Sequence, residues 1–150
     1  MGCHTWYRVP VVKGEDEVKK ELKDNLERWR KSSWWNAECE AEVPQRIQAI
    51  ETLDEEWLDG GSDYSFYVVN GVPGLYRKYE GDSDEPRIGG YPDTIITSSD
   101  QMFEFMRVGF YSDYYKNHFH FTPDGDRTEW VKELITTFFQ KHPDGIITFG

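Results

Sequence analysis

Tyr64-Ser65-Phe66-Tyr67-Val68-Val69-Asn70-Gly71 is the stretch that decides the fold. β-Branched and aromatic residues crowd Tyr64 to Val69, and Asn70-Gly71 is a pair that accepts positive φ at both positions of a two-residue hairpin turn. A partner strand is expected after it, roughly Leu75 to Tyr79. Upstream, Val18, Leu22, Leu26 and Trp29 recur at helical spacing from Glu15 onward. Glu15, Asp16 and Glu17 open that segment and Arg28, Arg30 and Lys31 close it, as the helix dipole favours. A hairpin and an amphipathic helix in one short chain predict an α+β fold.

Working outward, Thr5 to Val12 reads as a first strand, with Thr5, Tyr7, Val9 and Val11 on one face and Trp6 and Arg8 on the other. Pro10 predicts that this strand lies at an edge or ends early. Ser32 to Val43 has no clear period. Pro44 suits a first helical position, and Ile47, Ile50, Leu53 and Trp57 continue at helical spacing to about Leu58, with Gly60-Gly61 as the stop. Beyond the hairpin, Thr94 to Thr97 is β-like, and Ser98 or Ser99 can cap a helix over Asp100 to Arg107. Asn117 to Thr122 alternates as a strand. Trp130, Leu134, Ile135 and Phe138 mark a final helix, and Ile146 to Phe149 a closing strand. The expectation is one α+β domain over residues 1–150, a small and mostly antiparallel sheet packed with three or four helices. Pro92-Asp93-Thr94-Ile95-Ile96-Thr97 and Pro143-Asp144-Gly145-Ile146-Ile147-Thr148 are alike, and read as one turn-to-strand device used twice.

The chain has 150 residues, 37% hydrophobic and 30% charged, a globular mixture for which one core is expected. Aromatic residues make up 16%, so large rings must fill much of the interior and leave some for contact surface. No apolar run is long enough to span a membrane and no secretory signal opens the chain, which predicts a soluble intracellular protein. Trp6 stands where a myristoylation motif needs Ser or Thr. Cys3 and Cys39 are too few for a disulfide framework and read as free thiols or metal ligands.

The net charge of −11 is unevenly spread. Residues 51–100 hold twelve acidic side chains against Arg77, Lys78 and Arg87. Glu51, Asp54, Glu55, Glu56, Asp59 and Asp63 form one acidic cluster and Glu80, Asp82, Asp84 and Glu85 a second. Direct binding to a nucleic-acid backbone is disfavoured, because Lys and Arg carry phosphate binding. Either the clusters keep the protein soluble or they steer a partner with a basic surface. Trp34-Trp35, tandem indoles outside any periodic segment, suit an interface anchor, or else pack over the helix end at Trp29.

His118-Phe119-His120-Phe121 is the sharpest pattern for chemistry. Strand alternation places both imidazoles on one face and both phenyl rings on the other, predicted buried. With Cys3 and His4 the two histidines would complete a Cys/His zinc set. The spacing matches no zinc signature, and the competing reading has Phe119 and Phe121 in the core with the histidines in solvent. Asp82 to Pro86 and Asp124 to Glu129 start like calcium loops but lack Gly at the sixth position. No nucleotide-binding glycine fingerprint, Walker loop, nucleophile elbow or His-Glu-x-x-His pair is present.

Met1-Gly2-Cys3-His4-Thr5-Trp6, the run Arg87-Ile88-Gly89-Gly90-Tyr91-Pro92-Asp93, and the ending His142-Pro143-Asp144-Gly145-Ile146-Ile147-Thr148-Phe149-Gly150 resemble a group of small uncharacterised bacteriophage proteins. The resemblance implies a viral accessory protein acting in the bacterial cytoplasm and brings no catalytic residues with it. The functional expectation is a non-enzymatic protein that binds, and inhibits, a host or defence protein through acidic and aromatic surface. Two alternatives stand beside it. One is a small-ligand or nucleotide binder using aromatic stacking with Arg77, Arg87 or Arg107, and the other a zinc-dependent small enzyme.

Overall fold

Asn70 and Gly71 both take positive φ, 52° and 78°, so the chain reverses in the two residues that the sequence marks for it. The computed structural model describes residues 5–58, 64–79, 93–108 and 126–149. Strands β2 (Ser65–Val69) and β3 (Val72–Lys78) flank the turn in antiparallel register from Val69↔Val72 to Ser65↔Tyr76. β3 starts earlier than expected because a two-residue turn brings Val72 directly opposite Val69. The remaining strands are β1 (Thr5–Lys13), β4 (Ile95–Ile96) and β5 (Ile146–Phe149). They join in one five-stranded sheet of order β2-β3-β1-β5-β4. Six helices are seen among the described residues: α1 (Glu15–Arg30), α2 (Ala37–Ala41), α3 (Val43–Thr52), α4 (Glu55–Leu58), α5 (Ser99–Val108) and α6 (Asp126–Lys141). The α+β class therefore holds.

Pro10 does not put β1 at an edge. β1 is the third of five strands and runs on to Lys13. Its pairing with β5 covers only Thr5 to Arg8, so Pro10 stands beyond the last β5 partner, where a missing N–H costs no ladder bond on that side. The two like segments of the sequence meet: Ile95 pairs with Thr148 and Ile96 with Ile147.

The chain divides into two compact units, residues 10–77 and residues 1–9 with 78–150. Each has its own hydrophobic cluster, where one core was expected. In the first unit Val18, Leu22 and Leu26 of α1 meet Val43 and Ile50 of α3, Phe66 of β2 and Leu75 of β3. Fully burying an aliphatic side chain of this size stabilises by about 1.5–3 kcal/mol. Elements close in sequence can therefore close a core of their own. In the second unit Tyr7 and Val9 meet Ile96, Met102, Val131, Ile135, Phe138, Ile147 and Phe149. Phe138 is its hub, with ring centroids 5.3 Å from Tyr7, 5.4 Å from Tyr79 and 5.0 Å from Phe139. All four residues of β5 are buried, because β1 and β4 flank it. Thr148 satisfies its hydroxyl there by accepting from Arg8 Nε at 3.0 Å. The buried stripe of α6 is Val131, Ile135 and Phe138, and Trp130 faces solvent.

The helix expected from Pro44 to Leu58 is two helices. Leu53 takes a left-handed conformation at φ 49°, ending α3, and the Asp54 carboxylate accepts the Glu56 N–H at 3.1 Å to start α4. The break takes Trp57 off the stripe that its spacing suggested, and α3 itself buries Val43, Ala49 and Ile50 and leaves Ile47 exposed. Residues 32–43, without period in the sequence, contain α2, started by Asn36 accepting the Cys39 N–H at 2.9 Å. Five residues are too few to show a helical period. Ser98 caps α5 as expected, accepting from Gln101 N–H at 3.1 Å. Gly60-Gly61, the strand expected over Asn117 to Thr122, and the assignment of Phe119 and Phe121 to the interior all lie outside the described residues.

Candidate functional site

The end of α1 carries three indoles. Hydrogen bonds from Ser32 N–H to the Trp29 carbonyl at 2.9 Å and from Trp35 N–H to the Ser32 carbonyl at 3.1 Å fold the chain into a tight connection to α2. Trp34 projects from this connection, its centroid 6.3 Å from Trp29 and 5.7 Å from Trp35. Trp29 and Trp35 are half-buried against the α1–α3 cluster, whereas Trp34 is 57% exposed. Of the two readings, packing over the end of α1 describes Trp35. Trp34 lies in solvent.

A polar lock holds this shelf. Trp35 Nε1 donates to Glu40 Oε2 at 2.8 Å, and Arg30 grips the same carboxylate, with Nε donating to Oε2 at 3.2 Å and Nη2 to Oε1. Arg30 Nη1 also donates to Glu27 at 3.0 Å. Bonding from Arg30 first, and then from Trp35, holds the Glu40 carboxyl below its ordinary range, and Glu40 and Glu27 raise the Arg30 guanidinium above its own. The structure thus holds a large exposed ring on a tethered backbone. It offers apolar area, and little freedom remains to be lost on contact.

Of the acidic residues marked in the sequence, Glu51, Asp54, Glu55 and Glu56 are described, and all four are exposed. Glu51 is paired with Lys23, which lowers its carboxyl below the ordinary value. Glu55 and Glu56 make no ion pair among the described residues. Glu15, Glu21, Glu27, Glu40 and Glu42 each have a Lys or Arg partner. Glu55 and Glu56 share their lack of one with other exposed carboxylates of the described residues, Glu17 and Glu38 among them, and lie on α4 with the exposed Trp57. Asp59, Asp63, Glu80, Asp82, Asp84 and Glu85 lie outside the described residues. The exposure of Ile47 and Trp57 escaped the sequence reading. For Trp57 the signal was Asp54-Glu55-Glu56, a capping residue and an acidic first turn inside the apparent stripe; for Ile47 the sequence holds none.

Cys3, His4, His118 and His120 also lie outside the described residues, among which no group of three or more His, Cys, Asp or Glu could hold a metal. Cys39 is a half-buried free thiol. Of the arginines considered for a phosphate, Arg77 is exposed on β3, while Arg87 and the side chain of Arg107 are outside the described residues. The Trp6 ring is covered by Arg8 at 5.6 Å and Lys78 at 5.2 Å. A shallow depression on α1 is lined by Lys19, Lys20 and Lys23 against Asp16, Asp24 and Glu51, which leaves no net charge to recognise an ion. No helix among the described residues is long and apolar enough to cross a membrane.

Comparison with protein-family models, with curated proteins and with solved structures finds no match to this chain.

Proposed function

We propose that this protein is a non-enzymatic binding protein that engages, and inhibits, a host or defence protein of the bacterial cytoplasm through a basic surface on that partner. The observation that carries the reading is the exposure of Trp34 on a shelf fixed by Trp35, Glu40 and Arg30. An exposed indole costs solubility. Tethering it adds rigidity useful for contact, and hot spots of binding are enriched in tryptophan for these reasons. The exposed carboxylates of α4 on a chain of net charge −11 support the sign of the partner, because exposed charge of one sign steers association with the other.

The test is capture from bacterial lysate with the wild-type chain and with Trp34→Ala, followed by titration of whatever is retained. An anchor of this kind is expected to contribute about 2 kcal/mol or more, so the variant should bind roughly thirtyfold more weakly. A partner held equally by both chains would remove Trp34 from the interface and the reading with it.

A further inference from the structure

Trp34 is an isolated apolar surface. Among residues 31–43 no other large apolar side chain is exposed, and the exposed residues near it in the chain are polar or small, Ser33, Asn36, Ala37 and Glu38 among them. An apolar patch on a partner needs contiguous apolar area to exclude water, which one ring in polar surroundings does not supply. Such a ring suits a side chain that is itself flat and charged.

The geometry of the three indoles leaves a place for one. Trp29 and Trp35 each meet Trp34 at an interplanar angle of 58°, so neither lies flat on it. More than half of the residue is in solvent, and the two faces make up most of an indole's area, so a face of Trp34 is open. Ring faces are negative, and indole attracts cations best of the aromatic side chains. Elsewhere the chain fills such faces itself, with Arg8 and Lys78 over Trp6 and Lys132 over Phe103. Among the described residues no cation lies over Trp34. Arg30, four residues before it, is held by Glu27 and Glu40. From Glu27 to Glu42 four carboxylates stand against Arg28, Arg30 and Lys31, so the segment as a whole does not repel a cation.

We propose that the open face of Trp34 receives an arginine of the partner protein, its guanidinium stacked on the indole. A planar guanidinium covers a ring with its weakly hydrated faces while its in-plane N–H groups stay bonded at the rim, which the compact, strongly hydrated ammonium of lysine cannot do. This rests on the protein-binding reading and names the side chain that the Trp34 shelf takes.

The probe is a nonapeptide of alternating glycine and arginine. Its counterparts carry citrulline, which has nearly the same shape without the charge, or lysine. The readouts are the Trp34 indole N–H resonance and the dissociation constant. The arginine peptide should move that resonance and bind more tightly than either counterpart. Trp34→Leu keeps an exposed apolar side chain without a ring face. It should weaken the arginine peptide roughly fivefold, leave the citrulline peptide unchanged and erase the preference for arginine over lysine. The Trp35 indole N–H, bonded to Glu40, reports whether the shelf is intact in the variant. If it is not, 5-fluorotryptophan in the wild-type chain weakens the ring face at nearly unchanged size and should weaken the arginine peptide twofold or more.

An arginine peptide held equally by Trp34→Leu with its shelf intact, or by the fluorinated chain, overturns the proposal. An unmoved Trp34 resonance does the same, because the attraction then comes from the net charge of the chain alone. Equal loss for the lysine peptide overturns the choice of arginine. If partner capture depends on Trp34 while the arginine peptide leaves it unmoved, the protein-binding reading stands and the stacked arginine fails alone. Capture that is equal for wild type and Trp34→Ala removes the reading and, with it, the partner's arginine.

Discussion

Replacing Gly145 by alanine tests the packing around Phe138. A Cβ at this buried position would lie 2.7 Å from Phe138 Cζ, 3.0 Å from Phe138 Cε2 and 3.0 Å from the His142 carbonyl oxygen. Ordinary carbon contacts are about 3.5–4.0 Å, so the ring would have to retreat by about 1 Å. It has little room, since Tyr7, Tyr79 and Phe139 hold it on other sides. The carbonyl cannot withdraw either without weakening the 2.8 Å bond that it accepts from Gly145 N–H. Overpacking of a core in this way costs about 1–3 kcal/mol, and the upper half of that range is expected for Gly145→Ala. Urea unfolding monitored by near-UV circular dichroism would give the loss from the midpoint at constant slope. The cause is isolated by Phe138→Leu, which removes the atoms that clash. In that background Gly145→Ala should cost at least 1 kcal/mol less, within the coupling range of about 0.5–3 kcal/mol for touching residues. A loss below about 0.5 kcal/mol, or the same loss in both backgrounds, would refute the packing argument.

Asn25 is buried in α1 with Oδ1 accepting from Arg28 at 3.1 Å and Nδ2 without an acceptor among the described residues, so Asn25→Leu should stabilise the fold by about 1–3 kcal/mol in the same urea assay. A destabilised variant would mean that the amide has a partner in solution, such as a buried water. The Trp35 indole N–H resonance should stay constant as pH falls to the ordinary carboxyl value of 4.5 and move only below it, because the depressed Glu40 group stays ionised there and its bond to Trp35 is lost on protonation. A shift centred at or above 4.5 would show that Arg30 does not hold Glu40. Reversal of Glu55 and Glu56 to lysine, which leaves the Asp54 cap in place, should slow association with the captured partner roughly tenfold at low salt and flatten its salt dependence without changing the circular dichroism spectrum. Stopped-flow rates equal to wild type would return α4 to the role of a solvated helix.

Local signals carried most of the fold. The hairpin was legible because Asn70-Gly71 admits one turn geometry, and α1 because its four apolar residues and two charged ends agree. What failed was decided by tertiary surroundings. Pro10 is tolerated in a central strand only because β5 stops at the partner of Arg8. The break at Leu53 is a backbone reversal by a residue without glycine's freedom, invisible to periodicity. The candidate site was half legible. Tandem indoles pointed to Trp34 but could not show which of the pair is exposed, because that depends on Glu40 reaching Trp35 from the next helix. The acidity of residues 51–56 was plain, whereas the neutralisation of Glu51 by Lys23 is a contact between α1 and α3.

The bond from Arg8 to Thr148 joins residues 140 apart in sequence. On a ribosome moving at about 5–20 residues per second, β1 therefore emerges about 7 to 28 s before the strand that completes its pairing, since 140 divided by those rates spans that interval. Residues 10–77, with a hydrophobic cluster of their own, can close during that time. Tyr7 and Val9 cannot, because Ile147 and Phe149, which they pack against, do not yet exist. Each nascent copy thus carries a waiting apolar strand. The yield of soluble chain is expected to depend on what shields that strand in the interval, so that holdase chaperones raise it while leaving the stability of the finished fold unchanged.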